Sequence, residues 1–239
     1  MLYILGILLT SLYVLLNYYV GLRILQSILL FSKYTYAFWI VYVGLALSPF
    51  LPRISSFLSS GWPREVVTYI GDYWLASFYY FLLLWTVFDF LSITAKLLKV
   101  RIPLSIPQAG VSIILIIAFI LIHGTYAGKA TRVNTYAVNI HKKSADLSTL
   151  SAVLVSDIHL GIVIDRARLK VLVDKINELN PDIVFLAGDT INGNTGPFIE
   201  ERMAEVLRTI KAPLGVFAVL GNHETMSTMG GILISLSLL

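Results

Sequence analysis

The chain has 239 residues, of which 57% are hydrophobic and only 13% are charged, and its mean hydropathy is +0.80. An ordinary soluble protein is about 25% charged, so this composition indicates a membrane protein. There is no cysteine, which excludes disulfides, thiolate metal sites and cysteine nucleophiles. The formal charge of +4 reflects basic residues beside apolar runs, a pattern that membrane topology explains better than nucleic-acid recognition does.

The apolar residues are concentrated in residues 1–127, which contain four long runs. About 20 apolar residues are needed to cross a bilayer, and these runs approach or reach that length. Residues 128–239, in contrast, hold 11 of the 18 Lys and Arg. We therefore predict a four-span transmembrane region over residues 1–127 and a separate domain over 128–239. The predicted spans are residues 2–21, 34–51, 73–93 and 109–126.

Two titratable residues lie near the ends of these predicted spans. Asp89 could reach the membrane interface or face a neighbouring helix, and an acid within a membrane is a functional candidate by default. Its terminal position is the simpler explanation. His123 near the end of the fourth span is more typical of a packed or interfacial residue than of a proton relay.

The basic residues near the spans predict the side of the membrane on which the C-terminal domain lies. Four spans put both termini on one side, and Lys and Arg mark the cytoplasmic loops. The first and third loops hold five of them, against four in the second loop and just after the fourth span. We expect an integral, multi-pass protein with its domain outside the cytoplasm, although counting Lys142 and Lys143 with the second group reverses that order.

The C-terminal part alternates predicted strands and helices. Residues 131–140 alternate loosely between apolar and polar positions, which suits an antiparallel or edge strand. Helices are expected from a cap at Asp165 to about residue 180, and over 198–210. Three continuous apolar runs predict buried strands, and their order with the helices predicts a parallel α/β unit with right-handed crossovers. These runs are residues 152–156, 183–187 and 216–220.

Polar residues follow each of the three apolar runs directly. Asp157 and His159 follow the first, Asp189 the second, and Asn222 and His223 the third. Because ligands bind at the carboxyl ends of parallel strands, we expect these side chains to meet at one edge of the sheet. Each motif alone is also a common turn sequence. Together, their carboxylate, imidazole and amide groups predict a site for divalent ions such as Mn²⁺, Mg²⁺ or Fe²⁺.

The motifs S-D-I-H-L-G, A-G-D-T-I-N and L-G-N-H-E resemble those of the calcineurin-like metallophosphoesterases, and the N-terminal region resembles the anchor of membrane-attached bacterial members. The motifs cover residues 152–224. The resemblance implies an α/β/β/α sandwich that hydrolyses phosphomonoesters or phosphodiesters with two divalent ions (Mn, Fe, Mg or Zn). It implies that Asp157 and His159 bind the first ion, that Asp189 bridges both, and that Asn222 binds the second. His223 would contact the phosphate and help to protonate the leaving group.

The sequence departs from the family pattern in two places. Asn192 stands where the family usually has a second acid, a position that is not a usual metal ligand. The family also has further histidines after G-N-H-E that complete the metal site, whereas this chain has none after His223 and ends at Leu239. We therefore expect a C-terminally truncated, partial sandwich with one sheet face exposed, with one ion or none, and with weak or no turnover. Residues 230–239 are too short to span a bilayer and suggest a stray strand or the product of a frameshift or truncation.

Two functions from different classes fit these observations. The first is a membrane-anchored, metal-dependent phosphoesterase, impaired by truncation. The alternative is a non-catalytic membrane protein that carries a remnant phosphoesterase domain. A transporter fits less well, because Asp89 is the main charge within the spans and offers little for a substrate path. The bilayer as a partner suggests a lipid-linked phosphate ester as substrate, but no residue identifies its organic group.

Overall fold

Apolar runs in the N-terminal half of the chain form four long helices in the computed structural model, which describes residues 2–28, 31, 33–51, 62–141, 148–193 and 195–226. The chain divides into two units, residues 1–128 and 129–239. We call them the helical unit and the C-terminal unit. The long helices of the helical unit are α1 (Leu2–Ser27), α2 (Thr35–Leu47), α3 (Trp62–Leu97) and α4 (Ile106–Ala127).

Three of these helices are long and apolar enough to cross a membrane, namely α1 from Tyr3, α3 and α4. Helix α2 has 13 residues and rises about 20 Å, which is less than the hydrocarbon thickness of about 30 Å. The prediction of a span over residues 34–51 therefore stays a prediction. Helices α1 and α3 also exceed their predicted bounds, since α1 continues to Ser27 and α3 begins at Trp62.

Helix α1 continues past residue 21, and its basic residue is paired within the helical unit. Arg23 donates to Oδ2 of Asp89 from Nε at 3.0 Å and from Nη2 at 2.6 Å, and the Tyr19 hydroxyl donates to the same oxygen at 2.7 Å. The guanidinium also lies 5.7 Å from the ring centroid of buried Trp85. Asp89 thus faces a neighbouring helix, which was one of the two alternatives.

His123 is exposed on α4, and its ring is stacked against that of Phe119 with the centroids 6.0 Å apart. A half-apolar ring at an exposed position near a helix end is the arrangement expected of an interfacial side chain. His123 is therefore exposed on this helix, and its assignment as an interfacial residue stays a prediction.

The C-terminal unit contains a three-stranded parallel sheet in the order β1–β2–β3. Leu154 pairs with Phe185, which in turn pairs with Phe217. These pairings confirm the predicted parallel α/β unit. In chain order the elements are β1 (Ala152–Val155), α5 (Arg166–Glu178), β2 (Ile183–Ala187), α6 (Gly196–Glu200), α7 (Met203–Leu207), β3 (Val216–Val219) and α8 (Asn222–Met226).

The first predicted helix is confirmed, and the second is wrong as a single element. Asp165 caps α5 by accepting the N–H of Arg168 at 2.8 Å. The helix predicted over residues 198–210 is instead two short helices, because Arg202 lies between them with a left-handed φ of 54°. The Arg166 side chain donates to the carbonyls of Glu201 and Arg202, so a side chain supplies hydrogen bonds where one continuous helix would use its own backbone.

The strand predicted over residues 131–140 is also wrong. These residues have no regular secondary structure, and Tyr136 and Val138 are 82% and 77% exposed. An edge strand needs a neighbour to complete its hydrogen-bonding ladder. Within the described part of the chain, the sheet holds β1 to β3 and offers no pairing to this segment.

The two faces of the sheet differ in burial. Alternate residues such as Val184 and Leu186 are buried in a core that includes Leu169 and Phe198. On the opposite face Leu154 is 70% exposed and Phe217 is 54% exposed, as expected for a partial sandwich. Residues 230–239, which were predicted to form a stray strand, lie outside the described residues.

Candidate metal centre

The segment after β1 stays hydrogen-bonded to the segment after β2, which brings their polar residues side by side. The N–H of Asp157 donates to the carbonyl of Gly188 at 3.2 Å, and the N–H of His159 donates to that of Asp189 at 2.9 Å. Asp157, His159 and Asp189 have φ angles of 54°, 53° and 50°. Left-handed backbone of this kind costs roughly 1–3 kcal/mol per residue and clusters at functional sites.

The segment after β3 approaches the same place through a glycine. The N–H of His223 donates to Oδ1 of Asp189 at 2.8 Å. A Cβ atom added to Gly221 would overlap the backbone nitrogen and the carboxylate of Asp189. Only a residue without a side chain allows this separation, so the L-G-N-H-E motif needs its glycine for close packing against Asp189.

Three residues have their potential ligand atoms together at this edge of the sheet. The atoms of His159, Asp189 and His223 all lie within 4.8 Å of one another. The two imidazole rings meet edge to face, with centroids 4.5 Å apart and planes at 82°. One residue from each of the three strand ends thus contributes to the cluster, as the order of the motifs predicts.

The remaining two predicted ligands lie at the margin of this cluster. Oδ1 of Asp157 is 3.9 Å from Nε2 of His159, and the Asp157 side chain is 67% exposed. Asn222 is exposed at the start of α8. The family resemblance gave His223 a role outside the ligand shell, whereas its ring here lies with His159 and Asp189.

The cluster fits a divalent ion. Imidazole nitrogen and carboxylate oxygen together suit Mn²⁺, Fe²⁺ and Zn²⁺. His159 and His223 are partly buried and Asp189 is 9% exposed, and the two histidines leave the site accessible from solvent. The hydrogen bond from the His223 N–H to Asp189 connects the segments that carry two of these groups.

Asn192 has a structural place beside this cluster. Its N–H donates to the carbonyl of Leu160 at 3.0 Å, next to the bridge between Leu160 and Ile191. This backbone contact extends the pairing between the segments after β1 and β2. The departure from the family pattern at this position therefore lies in a turn that supports the cluster.

Sequence reasoning assigned no role to Glu224, although it stands in the L-G-N-H-E motif. The residue is 2% exposed, and its carboxylate accepts backbone N–H groups from Asp189, Ile191 and Gly221. The sequence does contain a signal for the contact with Gly221. Glu224 lies three residues after Gly221, which precedes α8, and this is the spacing of a capping box. Its contacts with the segment after β2 have no signature in the local sequence.

A parallel sheet with acid and histidine side chains gathered at its strand ends defines an α/β domain with a candidate metal site. Residues 150–236 match the family model described as "Calcineurin-like phosphoesterase". The C-terminal unit thus carries a calcineurin-like metallophosphoesterase domain, which confirms the resemblance.

Similar proteins support both halves of this description. A "Transmembrane protein with metallophosphoesterase domain" from Danio rerio is 33% identical over 46% of this chain and 25% of its own length. The "UDP-2,3-diacylglucosamine pyrophosphatase LpxG" of Chlamydia trachomatis serovar D is 40% identical over 40% of the chain and 28% of its own length. An "Uncharacterized metallophosphoesterase Cj0846" from Campylobacter jejuni is 28% identical over 87% of the chain and 55% of its own length.

The chain therefore aligns with only about a quarter of the first two of these proteins. The similarity to the Campylobacter jejuni protein is more extended. It covers 87% of the chain and therefore includes part of the helical unit. No solved structure matches the chain at a significant level. The apolar helices and the transmembrane relatives together indicate a membrane protein with a metallophosphoesterase domain.

Proposed function

We propose that the protein is a membrane-anchored phosphoesterase that hydrolyses phosphomonoester or phosphodiester bonds with divalent metal ions. The observation that carries the proposal is the meeting of His159, Asp189 and His223 at the strand ends of a domain that matches the family. The domain boundaries in this proposal are residues 1–127 for the membrane region and 128–239 for the phosphoesterase domain.

The roles in the proposal follow the motifs. Asp157, His159 and Asp189 would hold the first ion, and Asp189 and Asn222 would hold the second. Bound ions of this kind supply hydroxide near neutral pH and neutralise phosphate oxygens. His223 would contact the phosphate and protonate the leaving oxygen. The hydrogen bond from its backbone to Asp189 supports this role, because it fixes the position of the imidazole relative to the carboxylate.

The substrate in this proposal is a lipid-linked phosphate ester. Helices that can cross a membrane would keep the domain beside the bilayer, where a substrate with acyl chains resides. A relative named for a diacylglucosamine pyrophosphatase supports the same class of substrate. The phosphate end of the substrate would reach the cluster, and its apolar end would stay in the lipid.

We also infer that the domain lies outside the cytoplasm, as the count of basic residues near the spans predicts. The absence of cysteine allows a clean test. Lys170 is 69% exposed on α5, so a Lys170→Cys variant should react with a membrane-impermeant maleimide in intact cells. Labelling that requires lysed cells would place the domain in the cytoplasm.

The function is tested by adding Mn²⁺ to the full chain in detergent micelles. A ligand that binds only the folded state at about 100 times its Kd stabilises that state by about 2.7 kcal/mol. We expect the unfolding temperature of the C-terminal unit to rise with Mn²⁺, together with weak but measurable hydrolysis of bis(p-nitrophenyl) phosphate. Neither stabilisation nor hydrolysis would instead support a non-catalytic membrane protein with a remnant domain.

A further inference from the structure

Glu224 is a buried acid that is outside the proposed ligand set. Its side chain is 2% exposed. Oε2 accepts the N–H groups of Asp189 at 3.0 Å and Gly221 at 2.7 Å, and Oε1 accepts that of Ile191 at 2.9 Å. Both carboxylate oxygens are thus engaged with backbone donors. Both oxygens therefore accept hydrogen bonds from the protein itself, and neither needs a metal ion or a substrate as a partner.

The three donors come from two separate segments. Asp189 and Ile191 follow β2, whereas Gly221 follows β3. The link also runs in the opposite direction, because the Asp189 carboxylate accepts the N–H of His223 at 2.8 Å. Asp189 is therefore joined to two consecutive residues of α8, once through its backbone and once through its side chain. This reciprocal arrangement fixes the separation of the two segments as well as their relative orientation.

We infer that Glu224 is a positioning residue for the metal centre: it holds the segments after β2 and β3 together, and so sets the place of the Asp189 carboxylate relative to the His223 imidazole. The inference rests on the proposed function, because it assigns that function a residue outside the ligand set. Groups that orient metal ligands in this way influence metal affinity by about 10- to 100-fold.

A carboxylate is required at this position for a chemical reason. Three backbone N–H groups point at Glu224, and all of them need acceptors. A glutamine of the same size offers one acceptor oxygen, and its NH₂ group would face one of the backbone donors. An aspartate keeps both oxygens and the charge but is shorter by one methylene. The two substitutions therefore separate hydrogen-bond acceptance from simple filling of space.

The test compares Glu224→Gln and Glu224→Asp with a matched control in the full chain. Asp182→Asn is the control, because Asp182 accepts the backbone N–H of Ser151 at 2.7 Å at the opposite end of β1 and β2. Two quantities are measured. Mn²⁺ affinity is obtained by calorimetric titration, and residue-resolved hydrogen–deuterium exchange of the metal-free protein reports on the amides of Asp189, Ile191 and Gly221.

The expected result is that Glu224→Gln binds Mn²⁺ about 10- to 100-fold more weakly and exchanges those three amides about tenfold faster. Glu224→Asp should recover part of both losses, and Asp182→Asn should leave the affinity unchanged. A Gln variant with wild-type affinity, or a control with the same loss, would overturn the inference.

Failure of the proposed function has a different signature. If the wild-type chain binds no Mn²⁺, the metal centre itself is wrong. The metal-free exchange data then still decide the role of Glu224, since retained protection in Glu224→Gln refutes the connection between the segments and lost protection supports it.

Discussion

Replacing Asp189 by Asn is expected to abolish the response of the protein to Mn²⁺. Asp189 supplies the carboxylate of the cluster, with its oxygen within 4.8 Å of the nitrogens of His159 and His223. The substitution removes the negative charge and keeps the shape of the side chain of a residue that is 9% exposed. We expect Mn²⁺ affinity to fall by about 100-fold or more, because even groups outside the ligand shell contribute up to that amount. Hydrolysis of bis(p-nitrophenyl) phosphate should fall to background.

The folding of the Asp189→Asn variant provides an internal check. The amide oxygen can still accept the N–H of His223, so the metal-free variant should unfold near the wild-type temperature. Asp174→Asn on α5 is the matched control, since it makes the same change at an exposed acid paired with Lys170 at 2.9 Å. Calorimetric titration and thermal unfolding measure the two effects. Wild-type affinity in Asp189→Asn would contradict the assigned role of Asp189.

Replacing Gly221 by Ala is expected to produce the largest loss of stability in the C-terminal unit. The added Cβ would overlap the Asp189 backbone nitrogen and lie 2.6 Å from its Cγ atom. These atoms belong to the backbone and to the carboxylate of Asp189, which cannot move aside freely. The segments after β2 and β3 must therefore separate. Overpacking of this kind costs about 3 kcal/mol, which corresponds to a fall of about 10–20 °C in unfolding temperature for a unit of this size.

The matched control for this effect is Gly161→Ala. A Cβ atom at Gly161 would lie 3.6 Å from the nearest atom, Cβ of Asn192, which is an ordinary contact. Differential scanning calorimetry of both variants should show a large shift for Gly221→Ala and a small one for Gly161→Ala. Similar shifts in the two variants would show that the loss reflects helix or turn propensity and not contact with Asp189.

The sequence contains enough information to place the three motifs at one edge of a sheet. Continuous apolar runs predicted β1, β2 and β3, and the parallel pairings confirm the arrangement. Because parallel strands end at a common edge, the meeting of His159 with Asp189 follows from strand order alone. The cap at Asp165 was likewise predictable, because its partner Arg168 is three residues away.

Features that depend on distant backbone partners were beyond sequence reasoning. The helix over residues 198–210 is interrupted at Arg202, where a side chain from α5 binds the carbonyls. The segment 131–140 has the composition of a strand but no neighbour to pair with among the described residues. Glu224 likewise acquires its role from donors that are more than 30 residues away.

The bonds between Arg23 and Asp89 also determine how α1 and α3 can align. Sliding α1 by one turn would move the guanidinium by about 5.4 Å, which is too far for the 2.6 Å contact with the carboxylate. The pair, together with the hydrogen bond from Tyr19 to the same carboxylate, therefore favours a single axial register for the two long helices.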